Sequence, residues 1–241
     1  MGTSWQSIFD HSDLFLQGTL LTIEVSVVAF VLAFLIGLVG AAGRRSKYWL
    51  PRAAAGVFVE VIRNTPVLLQ VFVAYFALPS LGLPLTRFEA GVAALAINVG
   101  AYLTEILRSG IEAVPRGQRE AGQVLALSRW VSFRHVVMPQ ALRNVYPAVV
   151  NQFVQIILGT SLLSAIALPE LTGTAQTINS ETLLTMQVFT VALVIYLVLT
   201  NVVSLGAAAL GRVLFRPPLR TSVRPRLRLR PAGVSREGTL T

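Results

Sequence analysis

Five stretches of this chain are long and apolar enough to cross a lipid bilayer, and that constrains the fold more than any other feature. A helix needs about 20 apolar residues to span the hydrocarbon core. The runs Gly18–Ala42, Ala54–Leu78, Phe88–Leu107, Val145–Leu168 and Thr185–Leu210 qualify. The second is the weakest, because Glu60, Arg63, Asn64 and Pro66 lie in its first half. Charged residues make up 13% of the chain, against about 25% in a soluble domain. In a bilayer every backbone polar group must be satisfied within the span, so these runs predict helices. The expected fold is all-α and integral to the membrane, with five transmembrane helices.

Basic residues set the expected orientation, since Lys and Arg concentrate in cytoplasmic loops. The first 43 residues contain neither. Arg44, Arg45, Lys47 and Arg52 follow span one, and only Arg87 follows span two. Arg116, Arg119, Arg129, Arg134 and Arg143 follow span three, whereas the loop after span four carries only Glu170 and Glu181. The pattern predicts an N-terminus outside and a C-terminus in the cytoplasm. Asp10 and Asp13 precede the first apolar run, which is too long for a signal peptide, so it reads as a retained helix.

The inner loop between spans three and four, residues 108–144, has its own helical pattern. Pro115 and Gly117 punctuate its start, and residues 118–127 read as a short helix. Ser128 suits the N-cap of a second helix, residues 129–138, that Pro139 ends or kinks. Trp130, Phe133 and Val137 share one face of it, flanked by Arg129 and Arg134. Such a face docks into a groove on another protein or lies on lipid headgroups.

The same loop resembles the EAA loop of ATP-binding-cassette importer permeases. That pattern is Glu-Ala-Ala, three residues, Gly, nine residues, Ile, one residue, Leu-Pro. Here the matching positions are Glu120, Ala121, Gly122, Ala126, Val136, Met138 and Pro139, without a gap. Glu60-Val-Ile-Arg63-Asn64-Thr65-Pro66, Ala101-Tyr102 with Glu105 and Arg108, Val114-Pro115 with Gly117-Gln118, and Pro139-Gln140-Ala141-Leu142-Arg143 extend the match. So do Leu127-Ser128-Arg129-Trp130, Asn151, Phe153 and Thr160-Ser161-Leu162. The chain is similar to the polar amino-acid branch, which carries histidine, glutamate, glutamine, arginine or opines. It departs at Gly122, Ala126, Val136 and Met138, and at Leu158-Gly159, where relatives often have Lys-Asp.

The resemblance implies a type I importer in a bacterial plasma or inner membrane. Its partners would be a second permease copy or paralogue, two cytoplasmic ATPases and an extracytoplasmic binding protein. Residues 16–211 would form the permease domain, after an extracytoplasmic 1–15 and before an Arg/Pro-rich cytoplasmic tail, 212–241. Glu120, Ala121, Gly122, Ala126, Arg129, Trp130, Phe133 and Pro139 would couple to the ATPase, with Glu120 touching it or tying the loop helices together. If the family Gly is left-handed, Ala126 costs roughly 1–2 kcal/mol there. The sequence has no Gly-rich phosphate loop, so ATP and Mg would be used by the partner and no cofactor bound by this chain.

Polar residues within spans default to functional candidates. Asn98, Tyr102 and Glu105 share one face of span three, where they either line a translocation path or, for Glu105, pair locally with Arg108. Glu60 and Arg63 read as a local pair. Asn151, Gln152 and Gln155 suit a dimer seam or a path wall, and Thr160 and Ser161 remain polar path candidates. Glu24 serves helix packing or water access. The chain has no cysteine, which excludes disulfides and thiolate chemistry. Residues 216–241 hold seven Arg and one Glu, suited to anionic lipid and without the aromatic platform of a nucleic-acid binder. A self-powered secondary transporter or channel, and a non-transporting membrane scaffold, are the alternative classes.

Overall fold

A computed structural model describes residues 5–6 and 10–215, and the described residues contain helices and no strand. The order is α1 (Ser12–Arg44), α2 (Trp49–Arg63), α3 (Val67–Leu81), α4 (Arg87–Glu112), α5 (Arg116–Val124), α6 (Arg129–Ile166), α7 (Leu171–Thr182) and α8 (Thr185–Leu214). Four of these, α1, α4, α6 and α8, are long and apolar enough to cross a membrane singly.

The second apolar run is not one straight helix. Asn64, Thr65 and Pro66 break it, and α2 and α3 meet at 104°. Pro66 disfavours helical geometry in the residue before it. The corner is fastened by Gln70, whose amide donates to Ile62 O at 2.9 Å and to Thr65 Oγ1 at 2.7 Å. Glu60 and Arg63 do not pair as the sequence suggested. Glu60 accepts from Asn64 Nδ2 at 2.9 Å, and the Arg63 guanidinium lies 4.9 Å from the Tyr102 ring centroid.

Helix α4 is the centre of the bundle. Its entry is fixed by a capping box between Thr86 and Glu89, with each satisfying the other's backbone N–H. Val99 and Leu103 of α4 pack with Val25, Ala29 and Ala33 of α1 and with Ile156 and Leu163 of α6. The buried face of α1 is a stripe of small residues, and Gly37 sits where a Cβ would fall 2.7 Å from the Leu103 side chain. Membrane helices lack an aqueous hydrophobic drive to associate, so such close backbone approach supplies the packing energy. The opposite face of α1 exposes Leu20, Val27, Val31, Leu35 and Val39, as lipid contact requires. Glu24 is exposed on that side and its carboxylate holds no hydrogen bond or ion pair among the described residues.

Two π turns interrupt the helices, Val73–Ala77 in α3 and Phe133–Val137 in α6. Each ends two residues before a proline, Pro79 or Pro139. A proline ring clashes with the carbonyl four residues back, and the wider turn makes room for it. Pro139 therefore does not end its helix: beyond the π turn, α6 runs on from Arg129 into the fourth apolar run as one span. Helix α7 was not foreseen from the sequence. It packs against α1 and α8 through Leu171, Ala175 and Ile178.

Candidate functional site

The residues singled out within the spans separate into three places. Asn98 and Tyr102 of α4 and Asn151, Gln155 and Ser161 of α6 line one cavity of about 520 Å3, together with Gln152 and Val67. That size falls in the range of roughly 300–1,000 Å3 usual for small-molecule sites. Asn151, Gln152 and Gln155 make no hydrogen bond among the described residues, so their amides are free to bond a ligand. Asn98 is held in place, donating to Gln70 Oε1 at 3.2 Å. No side chain lining the cavity is charged, although the Arg63 guanidinium stacks on Tyr102 at its edge.

Glu105 is not part of that cavity. One carboxylate oxygen accepts from Arg44 Nε at 2.9 Å, and the other from Arg108 Nη2 at 2.7 Å. Arg108 also reaches Glu112 at 2.6 Å. The local pair with Arg108 that the sequence allowed is present, and Arg44 joins the last turn of α1 to α4 through it. An ionised group within a span needs such partners to offset its lost hydration.

Thr160 also faces elsewhere. It is fully buried, donates to Ile157 O at 2.8 Å, and lies 3.5 Å from the Tyr196 hydroxyl. Tyr196 donates to Glu170 Oε2 at 2.7 Å. Glu170 is 0% exposed and caps α7, accepting from the Thr172 and Gly173 amides at 2.9 and 2.8 Å. Thr22 of α1 accepts from Leu171 N at 3.1 Å, so the network ties α7 to both α1 and α8. Burial raises the Glu170 pKa above the ordinary glutamate range; the two amides and the Tyr196 hydroxyl offset part of that. From the sequence, Glu170 counts only as a loop charge. The signal for it was an acid at an N-cap position before a short polar helix.

The loop residues form the third place. Helix α5 ends at Val124, and Ala126 has φ 52°, the left-handed conformation expected of the glycine it replaces. Alanine pays roughly 1–2 kcal/mol there relative to glycine. Ser128 caps α6 by accepting from Val131 N at 3.3 Å. Gly122 is buried, and a Cβ there would lie 2.6 Å from Ser132 Oγ and 3.3 Å from its Cβ, so the alanine of the pattern fits here only if the Ser132 hydroxyl turns aside. Glu120 is exposed and makes no hydrogen bond or ion pair among the described residues. It does not tie the loop helices together; Gln140 does, donating to Gln118 Oε1 at 3.3 Å. Ala121 and Arg129 are exposed. Trp130 and Phe133 stack with centroids 6.2 Å apart but play different parts. Phe133 packs inward on Val114, Val137 and Ala141, whereas Trp130 is 64% exposed. Val124 and Leu125, at 85% and 71% exposed, place two more apolar side chains in solvent at the end of α5, just before the turn.

A bundle of long apolar helices, with an uncharged polar cavity inside and a short helical loop presenting apolar side chains, defines a membrane permease. The chain belongs to the family of binding-protein-dependent transport system inner membrane components, which it matches over residues 15–214. It is 37% identical over 206 residues to the glutamine transport system permease protein GlnP of Escherichia coli K12, covering 85% of this chain and 94% of that one. The probable glutamine ABC transporter permease protein GlnP of Bacillus subtilis is 40% identical over 172 residues, 71% of this chain and 79% of its own. The crystal structure of an amino acid ABC transporter with histidines superposes with a TM-score of 0.82 at 34% identity, covering 86% of this chain and 97% of that chain. The MetNI methionine ABC transporter, inward facing, shares the fold with a TM-score of 0.71 at 18% identity, covering 86% and 99%. The chain is thus a membrane-spanning permease subunit of an ATP-binding-cassette importer.

Proposed function

We propose that this subunit carries a polar, uncharged amino acid of the glutamine type through the cavity between α4 and α6. The observation that carries the reading is the cavity wall. Asn98, Tyr102, Asn151, Gln152, Gln155 and Ser161 offer hydrogen bonds without a fixed charge. Such a wall suits a side-chain amide and penalises an unpaired side-chain carboxylate or ammonium. The Arg63 guanidinium beside Tyr102 supplies a partner for the ligand's α-carboxylate. The named relatives that transport glutamine support the same substrate class.

In this reading α2 and α3 together make one bent crossing, giving five, with the N-terminus outside. Residues 16–211 are the working domain. The loop from Glu120 to Pro139 takes up the movement of a separate ATPase, which binds ATP and Mg; this chain binds no cofactor. Two ATPases, a second permease and an extracytoplasmic binding protein complete the importer. Closure of the ATPases moves the loop, and α6, which joins the loop to the cavity wall through its π turn, carries that movement on.

The test is uptake by the reconstituted importer carrying Asn151→Ala and Gln155→Ala together. Removing two hydrogen bonds of about 0.5–1.5 kcal/mol each is expected to cut glutamine uptake about tenfold. ATPase assembly and basal ATP hydrolysis stay unchanged. Loss of permease pairing with normal uptake by the residual dimers would instead assign these amides to a subunit seam.

A further inference from the structure

A second cavity, of about 430 Å3, lies next to the polar one along α4 and α6, between the C-terminal parts of α1 and α4 and the first half of α6. Phe34, Leu38, Leu107, Phe133 and Leu142 are among its walls, and Arg45 is the charged residue lining it. A polar solute would find almost nothing there to hydrogen-bond. Leu38 and Leu142 are each about half exposed, so an apolar chain has a way in. Arg45 is exposed, and its guanidinium holds no hydrogen bond or ion pair among the described residues, unlike that of its neighbour Arg44. Tyr48 and Trp49 follow, 78% and 71% exposed, the amphipathic aromatic types that favour lipid headgroups.

We infer that this cavity is a binding site for an anionic phospholipid, with an acyl chain on the apolar wall and the phosphate on Arg45. The charge of Arg45 selects the occupant: a zwitterionic lipid offers the same chain but a headgroup with no net charge. Arg44 is spent on Glu105, so Arg45 is the guanidinium available at this place. The bound chain would press on Phe133, inside the π turn that joins the loop to α6. Lipid occupancy would therefore stiffen the segment that links the exposed loop to the membrane helix.

The complex in nanodiscs of phosphatidylcholine and phosphatidylglycerol, analysed by native mass spectrometry, tests this. The wild type is expected to retain phosphatidylglycerol over phosphatidylcholine. Arg45→Gln is expected to lower that preference about fivefold, while Lys47→Gln, two residues on and outside the cavity, leaves it unchanged. Leu142→Trp fills the apolar wall and is expected to reduce retention of both lipids. Equal retention of the two lipids by the wild type, or an unchanged preference in Arg45→Gln, would overturn the assignment. So would an equal loss in Lys47→Gln, which would mean diffuse attraction to the basic loop. Cross-linking of Leu142→Cys to a second permease copy, with no lipid retained, would mean that a protein partner covers the cavity.

Discussion

Trp130→Ala is expected to uncouple the permease from its ATPase while leaving the membrane bundle intact. The indole is 64% exposed in the first turn of a helix that Ser128 caps, beside the Phe133 ring. Tryptophan is among the residues enriched at interface hot spots, where truncation costs about 2 kcal/mol or more. Affinity for the ATPase should fall about 30-fold, and ATP-driven uptake should fall with it. Phe133→Ala acts differently. Its ring packs on Val114, Val137 and Ala141, so that variant should lower the thermal stability of the isolated permease. ATPase pull-down and thermal unfolding in detergent separate the two. Normal ATPase affinity in Trp130→Ala would remove the docking role from this face.

The second large effect is at Glu170. Glu170→Ala deletes the α7 cap and leaves the Thr172 and Gly173 amides and the Tyr196 hydroxyl without their acceptor. A lost cap costs about 1 kcal/mol, and a buried unsatisfied donor about 1–3 kcal/mol. Helix α7 should detach from α1 and α8, with fast hydrogen exchange over residues 171–182. Glu170→Gln keeps a carbonyl acceptor and should retain most of the protection. The pH dependence has a definite sign. Burial makes the folded pKa higher than the detached one, so the folded state binds more protons in between. The stability from this group is present below the ordinary glutamate pKa and is lost as pH rises through the raised value. Exchange of α7 amides should therefore quicken with rising pH beyond the intrinsic base-catalysed rate, and Glu170→Gln should abolish that excess. An identical pH profile in both proteins would show that Glu170 does not titrate in this way.

The long spans could be read from the sequence because burial in lipid leaves continuous apolar runs. The left-handed turn at Ala126 was visible because the loop keeps a fixed register around it. Other features were hidden for physical reasons. Pro66 signalled a break in the second run, but the 104° corner depends on Gln70, a residue that looks like any polar position in a helix. Glu105 was placed on the face of Asn98 and Tyr102 by spacing alone. Its partner Arg44 is 61 positions away, and no local pattern reveals such a pairing. Helix α7 is short and rich in Thr, Asn and Gln, so its apolar stripe of Leu171, Ala175 and Ile178 is too sparse to stand out. The residues from 216 onward, with the Arg-rich tail, lie outside the described structure.

Uptake of radiolabelled glutamine into proteoliposomes containing this permease, its ATPase and the binding protein tests the central claim most directly. Accumulation is expected only with enclosed ATP and Mg, and ionophores that collapse ion gradients should leave it intact. Accumulation driven by an ion gradient, without the ATPase, would contradict it and favour a self-powered transporter.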